Sequence, residues 1–317
     1  MNAAARTLTV SADEAGARLD KFLVQHCPEL GRRAAADFIE RGLVRVGGRR
    51  ALKSQRLAAG DAVTLPLDLA EAPEAEPELP LDVRLERSDL VVVEKPAGQA
   101  SAPLSASERG SLIGALLARY PEMQGVGYRA REPGLIHRLD TRTSGLVLAA
   151  RSALAFDVLR AALEAHRLDK RYLAIVEAAG LPDERVIELP LMPGKGGRVM
   201  VAPEGSAAGG ARPCVSRVRT LARRGRFALV EVEASRAFRH QVRVHLAASG
   251  WPIAGDLDYG GAVRPELSGR HALHASQVAW AGDERVPAFA VVSPLPADLA
   301  AFFDAGSGGA SSSAQSS

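Results

Sequence analysis

Asp140 occupies a turn whose residue types could do chemistry. His137 to Thr143 form a largely polar stretch between the short apolar pair Leu135 and Ile136 and the longer apolar run from Gly145 to Ala150. A carboxylate at the mouth of a buried strand sits on a rigid scaffold, a common way to present a catalytic group. A lone aspartate in a turn has a second reading, in which it caps backbone N–H groups or pairs with a neighbouring arginine. Ser144 and the two threonines would hydrogen-bond the turn's backbone and fix where the carboxylate points.

Two further polar knots share this character. Lys170, Arg171 and Tyr172 precede the apolar Leu173 to Val176, and the segment from Phe238 to His245 holds Arg239, His240, Gln241 and Arg243. From Arg217 to Arg243 there are eight arginines against two glutamates, a surplus that attracts phosphates. Other chemistries lack their signatures. The chain has no Gly-Lys-Ser/Thr phosphate loop, no His-Glu-x-x-His and no Gly-x-Ser-x-Gly elbow. His240 and His245 lie five apart, a pairing more often structural than metal-ligating. Cys27 and Cys214 are too isolated for a zinc site and fit a reducing compartment. A glycosidase would need two carboxylates flanking the bond, and only Asp256 and Asp258 offer a second. One aspartate, one tyrosine and many arginines remain. That set suits a carboxylate that attacks or stabilises an electron-poor centre in a nucleic acid held by arginines.

These residues need elements to position them. At 317 residues, 47% apolar and 24% charged, the chain is long enough for one large and one small globular domain. No apolar run approaches the ~18 residues of a membrane helix, and Met1 to Asp20 lacks a signal-peptide pattern. The expected location is cytoplasmic. In the large domain, Leu90 to Val93 reads as a buried strand, Leu112 to Tyr120 as a helix, and Lys170 to Val176 and Arg226 to Glu233 as strands. Ser152 is placed to cap a helix carrying Phe156, Leu159 and Leu163. Gly194 to Gly210 contains six glycines and reads as a mobile loop. Strands and helices mix without a βαβ rhythm. The predicted fold is α+β, a large mixed, mainly antiparallel sheet with helices.

Ahead of it, residues 16–66 read as a small helix–helix–hairpin module with a basic face. Leu19, Phe22 and Leu23 mark one helix, and Ala35, Phe38 and Ile39 a second. Gly47-Gly48 signals a hairpin turn. Arg32, Arg33, Arg45, Arg49, Arg50, Lys53 and Arg56 cluster at the second helix's start and around the hairpin, either a phosphate-binding surface or a merely solvated basic face. Residues 1–15 read as a lead-in, 67–80 as an acidic, Pro-rich extended linker, and 305–317 as a disordered tail.

The sequence carries two resemblances. Arg18 to Leu23, Arg32-Arg33, Ile39 to Gly48 and Gly60 to Val63 look like the S4-type RNA-binding domain, with Gly31 where that domain usually has Ser. His137-Arg138-Leu139-Asp140, with Thr143 to Leu146, resembles the signature of the RluA family of pseudouridine synthases. Lys170 to Ala174, His240 to Leu246, Pro252 to Gly260, Leu273 to Ala275 and Glu94 to Gly98 are similar to its other motifs, in the family's order across residues 81–304. One departure is local. The family's Gly-Arg-Thr before His-Gln is here Ala237-Phe238-Arg239.

The resemblance implies an enzyme that converts RNA uridine to its C-glycoside isomer, cutting N1–C1′ and rejoining C5 to C1′, without cofactor or metal. Asp140 matches the essential aspartate, Arg243 the arginine that pairs with it, and Tyr172 the active-site tyrosine, whose ring can stack on uracil and whose hydroxyl is a candidate to take the C5 proton. Arg138 would fill the gap left by the flipped base. Arg32, Arg33, Arg45, Arg49, Arg50, Lys170 and Arg239 would hold RNA, and His137 is structural. The implied partner is 23S-type ribosomal RNA or a pre-ribosomal particle, bound by a monomer away from membranes. A tRNA-directed synthase and a catalytically silent ribosome-assembly protein are the alternatives.

Overall fold

The first described element is a strand. Ala5–Thr9 (β1) pairs antiparallel with Ala62–Pro66 (β4), Leu8 facing Val63, so the expected lead-in is an integral edge of the first sheet. The computed structural model describes residues 5–27, 32–40, 44–52, 54–66, 73–105, 108–127, 129–203, 210–234 and 238–306. The chain divides into two compact units, the first running through Pro73 and taking in Leu104–Ser107 and Tyr128–Pro133.

In the first unit, Leu19–His26 (α1) and Arg32–Glu40 (α2) precede the short hairpin of Arg45–Val46 (β2) and Arg49–Arg50 (β3). The sheet order is β1-β4-β2-β3. Gly47 and Gly48 both have positive φ (54° and 77°), which a two-residue hairpin matched to strand twist requires. Leu19, Phe22 and Leu23 from α1 meet Ala35, Phe38 and Ile39 from α2 and Val46, Val63 and Leu65 from the sheet. Each fully buried large side chain contributes roughly 1.5–3 kcal/mol, so this core anchors a small unit. Arg45, Arg49 and Arg50 are exposed. Arg32 and Arg33 open α2, but their side chains, like Gly31 and Lys53, lie outside the described residues.

The second unit contains Asp82–Glu86 (β5), Leu90–Lys95 (β6), Leu112–Arg119 (α3), Ser144–Ala150 (β7), Ala153–Glu164 (α4) and Leu168–Glu177 (β8). Glu184–Glu188 (β9), Leu191–Pro193 (β10), Val199–Val201 (β11), Val215–Arg224 (β12), Phe227–Glu233 (β13) and Gln241–Ala248 (α5) follow, then Leu273–Trp280 (β14), Phe289–Val292 (β15) and Ala297–Ala305 (α6). The main sheet runs β5-β6-β7-β14-β8-β13-β12-β9, with β15 also on β14. Only β7 and β14 pair in parallel; the other ladders are antiparallel. The fold class read from the sequence is the one observed.

β7 is buried along its whole length because both its faces are covered. Leu146, Leu148 and Ala150 point to one cluster with Phe156 and Leu159 of α4. Val147 and Ala149 point to another with Leu112, Ile113 and Leu116 of α3. Ser152 caps α4 as expected, accepting from the Ala155 N–H. Gly145 has φ 120°, and a Cβ there would lie 2.3 Å from the Ala275 carbonyl oxygen of β14. Only glycine lets the two central strands meet at that point.

Three expectations need correction. The second half of the linker is tied down rather than free: Glu76 is buried, and both its carboxylate oxygens accept from the Gly110 N–H, while most of its neighbours stay exposed. Gly194 to Gly210 is not one mobile loop. β10 and β11 form a small antiparallel hairpin whose Leu191 and Val199 pack on Val244 of α5; residues 204–209 lie outside the described residues. The third polar knot is helical from Gln241 on: its apolar residues at 242, 244 and 246 alternate as in a strand, but Gln241, Arg243 and His245 between them are buried too, so the segment is covered all round. The tail from 307 lies outside the described residues. Among the described residues no helix is long and apolar enough to cross a membrane.

Candidate active site

Asp140 leaves Leu139 at the end of an irregular segment that three groups pin. Ser101 Oγ donates to the Leu139 carbonyl (2.8 Å) and accepts from the Leu139 N–H (3.0 Å). Lys95 Nζ donates to the carbonyls of Pro96 (2.8 Å), Gln99 (2.8 Å) and Thr141 (3.3 Å). The Gly98 N–H also donates to Thr141 O, and the Thr143 N–H closes the turn onto Asp140 O. Burial, only partly offset by the Asp140 charge, lowers the Lys95 ammonium to about 7. The sequence expectation that Thr143 and Ser144 bond their own backbone does not hold. Thr143 Oγ1 lies 2.8 Å from His271 Nε2, and Ser144 Oγ lies 2.9 Å from His274 Nδ1 and accepts from Arg270. Side chains entering β14 thus clamp the start of β7.

The turn and α5 meet at Arg243. Its Nη1 donates to Asp140 Oδ2 (2.9 Å). Its Nε and Nη2 form a two-pronged contact with Asp256 (2.7 Å each), and Nη2 also reaches Asp258 Oδ2 (3.0 Å). Arg243 and Asp256 are buried, whereas the Asp140 side chain keeps 22% of its surface exposed. Burial alone would lower the Arg243 guanidinium; its bonds to Asp256, then Asp140, outweigh that and raise it. The cation is permanent. Asp140 is the partner that reaches it from the pinned turn with part of its carboxylate open to solvent.

The second oxygen of Asp140, Oδ1, lies 3.6 Å from His240 Nε2. His240 caps α5 in a left-handed backbone conformation (φ 57°), which costs an L-residue roughly 1–2 kcal/mol. Its Nδ1 is 2.7 Å from the Tyr259 hydroxyl, and that hydroxyl accepts from the Val199 N–H of β11 (2.9 Å). The Arg243 guanidinium lies over the Tyr259 ring, 4.8 Å from its centroid. Tyr172 of β8 feels the same carboxylate: burial, then the Asp140 charge, raises its phenol well above the ordinary range.

Residues 89–248 match the model of the RNA pseudouridylate synthase family, and residues 17–63 match the S4 domain. The chain belongs to the RNA pseudouridylate synthase family. The enzyme therefore isomerises uridine to pseudouridine in RNA. It is 36% identical over 311 residues to an RNA pseudouridine synthase of Chloroflexus aurantiacus, covering 94% of this chain and 93% of that one. It is 28% identical to the ribosomal large subunit pseudouridine synthase D of Haemophilus ducreyi, over 94% of each chain. Its fold resembles that of human RNA pseudouridylate synthase domain containing 4 (TM-score 0.54, 21% identity, 71% of this chain and 91% of that one).

The structure brings Asp140 and Arg243 into contact and sets Tyr172 within their electrostatic reach. Arg138 is exposed two residues before Asp140, and Arg239 is exposed beside Gly197 of the hairpin. Lys170 does not fit the RNA-contact role. Its side chain is buried, and that burial lowers its ammonium to about 8. His137 is buried as a structural residue, Nε2 accepting from the Leu148 N–H, and burial lowers it to about 3. Phe238, the departure from the family pattern, packs on the hairpin cluster of Leu191, Val199 and Val244. Sequence reasoning gave no role to Lys95, Ser101, His240 or Tyr259, and it weighed Asp256 only as a second carboxylate. A signal for Asp256 existed: an arginine inside an apolar helix needs a buried acid, and Asp256 stood in a matched motif.

Proposed function

We propose that the enzyme acts on uridines of large-subunit ribosomal RNA and that Asp140 is the carboxylate that acts on the nucleotide. The observation that carries this reading is the Arg243–Asp140 pair. The guanidinium takes Oδ2 at 2.9 Å and leaves the partly exposed carboxylate with an uncommitted oxygen for substrate. A uridine must leave its stack to reach it, at a cost of a few kcal/mol. Arg138, exposed beside the turn, then occupies the vacated space. Tyr172 presents its ring to the flipped uracil. Its raised phenol stays protonated, which counts against it as the base that takes the C5 proton and in favour of stacking.

In this reading residues 16–66 are an RNA-binding module and residues 81–304 the catalytic domain. Exposed Arg45, Arg49 and Arg50 supply phosphate contacts in the first, with Arg32 and Arg33 assigned there by sequence, and Arg138 and Arg239 supply them in the second. The ribosomal substrate is supported by the large-subunit synthase of Haemophilus ducreyi. Asp140→Asn is expected to abolish tritium release from RNA carrying 5-tritiated uridine while RNA affinity stays within a few fold. Undiminished release rejects the assignment. Pseudouridine mapping of ribosomal RNA with and without the enzyme tests the substrate.

A further inference from the structure

We propose that His240 and Tyr259 are positioning residues for Asp140: Tyr259 holds the neutral His240 imidazole in the tautomer with its proton on Nε2, and that N–H steers the Asp140 oxygen that Arg243 leaves free. The proposal rests on the reading of Asp140 as the reacting carboxylate.

The chain of hydrogen bonds gives the direction. The Val199 N–H can only donate, and it donates to the Tyr259 oxygen at 2.9 Å. The hydroxyl's own proton is then the one available to the 2.7 Å contact with His240 Nδ1. Nδ1 becomes the acceptor, and the ring proton of a neutral imidazole falls on Nε2. Nε2 is the atom facing Asp140 Oδ1, at 3.6 Å. That separation is longer than a hydrogen bond, and contacts of this kind tighten when substrate fills an open site. Burial, followed in its lowering effect by Arg243 and Arg239, opposes protonation of His240, and Asp140 and Asp256 act the other way. The neutral ring supplies one directed donor without a second cation.

Two further observations agree. His240 is one of three described non-glycine residues with positive φ, and the strained backbone stands at the helix end that turns its ring toward Asp140. The β10–β11 hairpin, otherwise peripheral, spends a backbone N–H on Tyr259, and its neighbour Arg198 lies 3.5 Å from Asp258, itself bonded to Arg243. The hairpin thereby connects to both oxygens of Asp140, through His240 on one side and Arg243 on the other.

Spectra of the full-length enzyme labelled with 15N-histidine read the tautomer directly. At neutral pH His240 is expected to show a protonated Nε2 and a bare Nδ1; a protonated Nδ1 overturns the proposal. Tyr259→Phe keeps the ring and removes the donor. It is expected to mix the tautomers and lower kcat by about ten- to a hundredfold, with KM for RNA unchanged. His240→Gln, whose amide N–H can stand in for Nε2, should retain most of the kcat that His240→Ala loses. Wild-type kcat in either His240→Ala or Tyr259→Phe overturns the proposal. Asp140→Asn measured alongside separates the two claims. If it is inactive while His240→Ala is not, the aspartate stands and the positioning role falls. If Asp140→Asn is active, the positioning role falls with the aspartate, whatever the tautomer.

Discussion

Arg243 serves three carboxylates, and they do not share it equally. Asp256 is buried and holds two of its nitrogens; Asp258 is half exposed; Asp140 takes the remaining Nη1. Asp256 is thus the counter-ion that makes a buried arginine tolerable, and Asp140 borrows a cation already fixed in place. Removing one member of a buried pair typically costs about 3–5 kcal/mol, because the other is left uncompensated. Asp256→Ala is therefore expected to destabilise the enzyme by that order, read as a lower urea midpoint with unchanged slope. Asp258→Ala, at a half-exposed site, should shift the midpoint far less. Equal, small shifts for both would contradict the division of roles.

At the scale of elements, the site depends on how β7 and β14 are joined. Gly145 permits their close approach, and His271 and His274 clamp Thr143 and Ser144. Burial lowers His271 to about 3 and His274 to about 4, as it does His137 to about 3. All three are neutral in the folded enzyme, so as pH falls below the ordinary histidine value of about 6.5 the unfolded chain takes up protons first. Stability is full above that pH and is lost as pH falls toward 4 and 3. Each imidazole contributes up to about 1.4 kcal/mol per pH unit across that window. Urea midpoints at neutral pH and one to two units below 6.5 should differ accordingly, and His271→Gln should flatten the difference. A flat profile in the parent enzyme would show that these rings are not held neutral.

At the scale of the whole molecule, charge is divided by purpose. Many arginines of the large unit are paired with acids, as in Arg219–Glu231, Arg226–Glu177 and Arg223–Asp183. Such surface pairs add little stability, a median below about 1 kcal/mol, and leave less net charge for RNA than the sequence count implies. The small unit differs. Arg45 and Arg50 donate to backbone carbonyls, and no ion pair to either is found among the described residues. Replacing Arg45, Arg49 and Arg50 together with Gln is expected to lower the slope of log affinity against log salt by about 2, at roughly 0.7 per lost contact to single-stranded RNA. An unchanged slope would place the phosphate contacts elsewhere.

The sequence by itself determined the family, the α+β class, and the pairing of Asp140 with Arg243, since ordered motifs and hydrophobic periods are local properties of a chain. It also placed β6, α3, β7, β8 and β13 of the large unit to within a residue or two and the cap of α4, and left the other strands and helices there unassigned. It misjudged Lys170, the β10–β11 hairpin and the second half of the linker for one reason. Whether a lysine, a glycine-rich segment or an acidic stretch is covered depends on what lies over it, and composition does not carry that. Only the tertiary structure decided how Asp140 is held. Lys95, Ser101, His240, Asp256, Tyr259 and His271 reach its turn from separate stretches of chain. Their effect is a matter of distance and burial, and both exist only once the strands have paired.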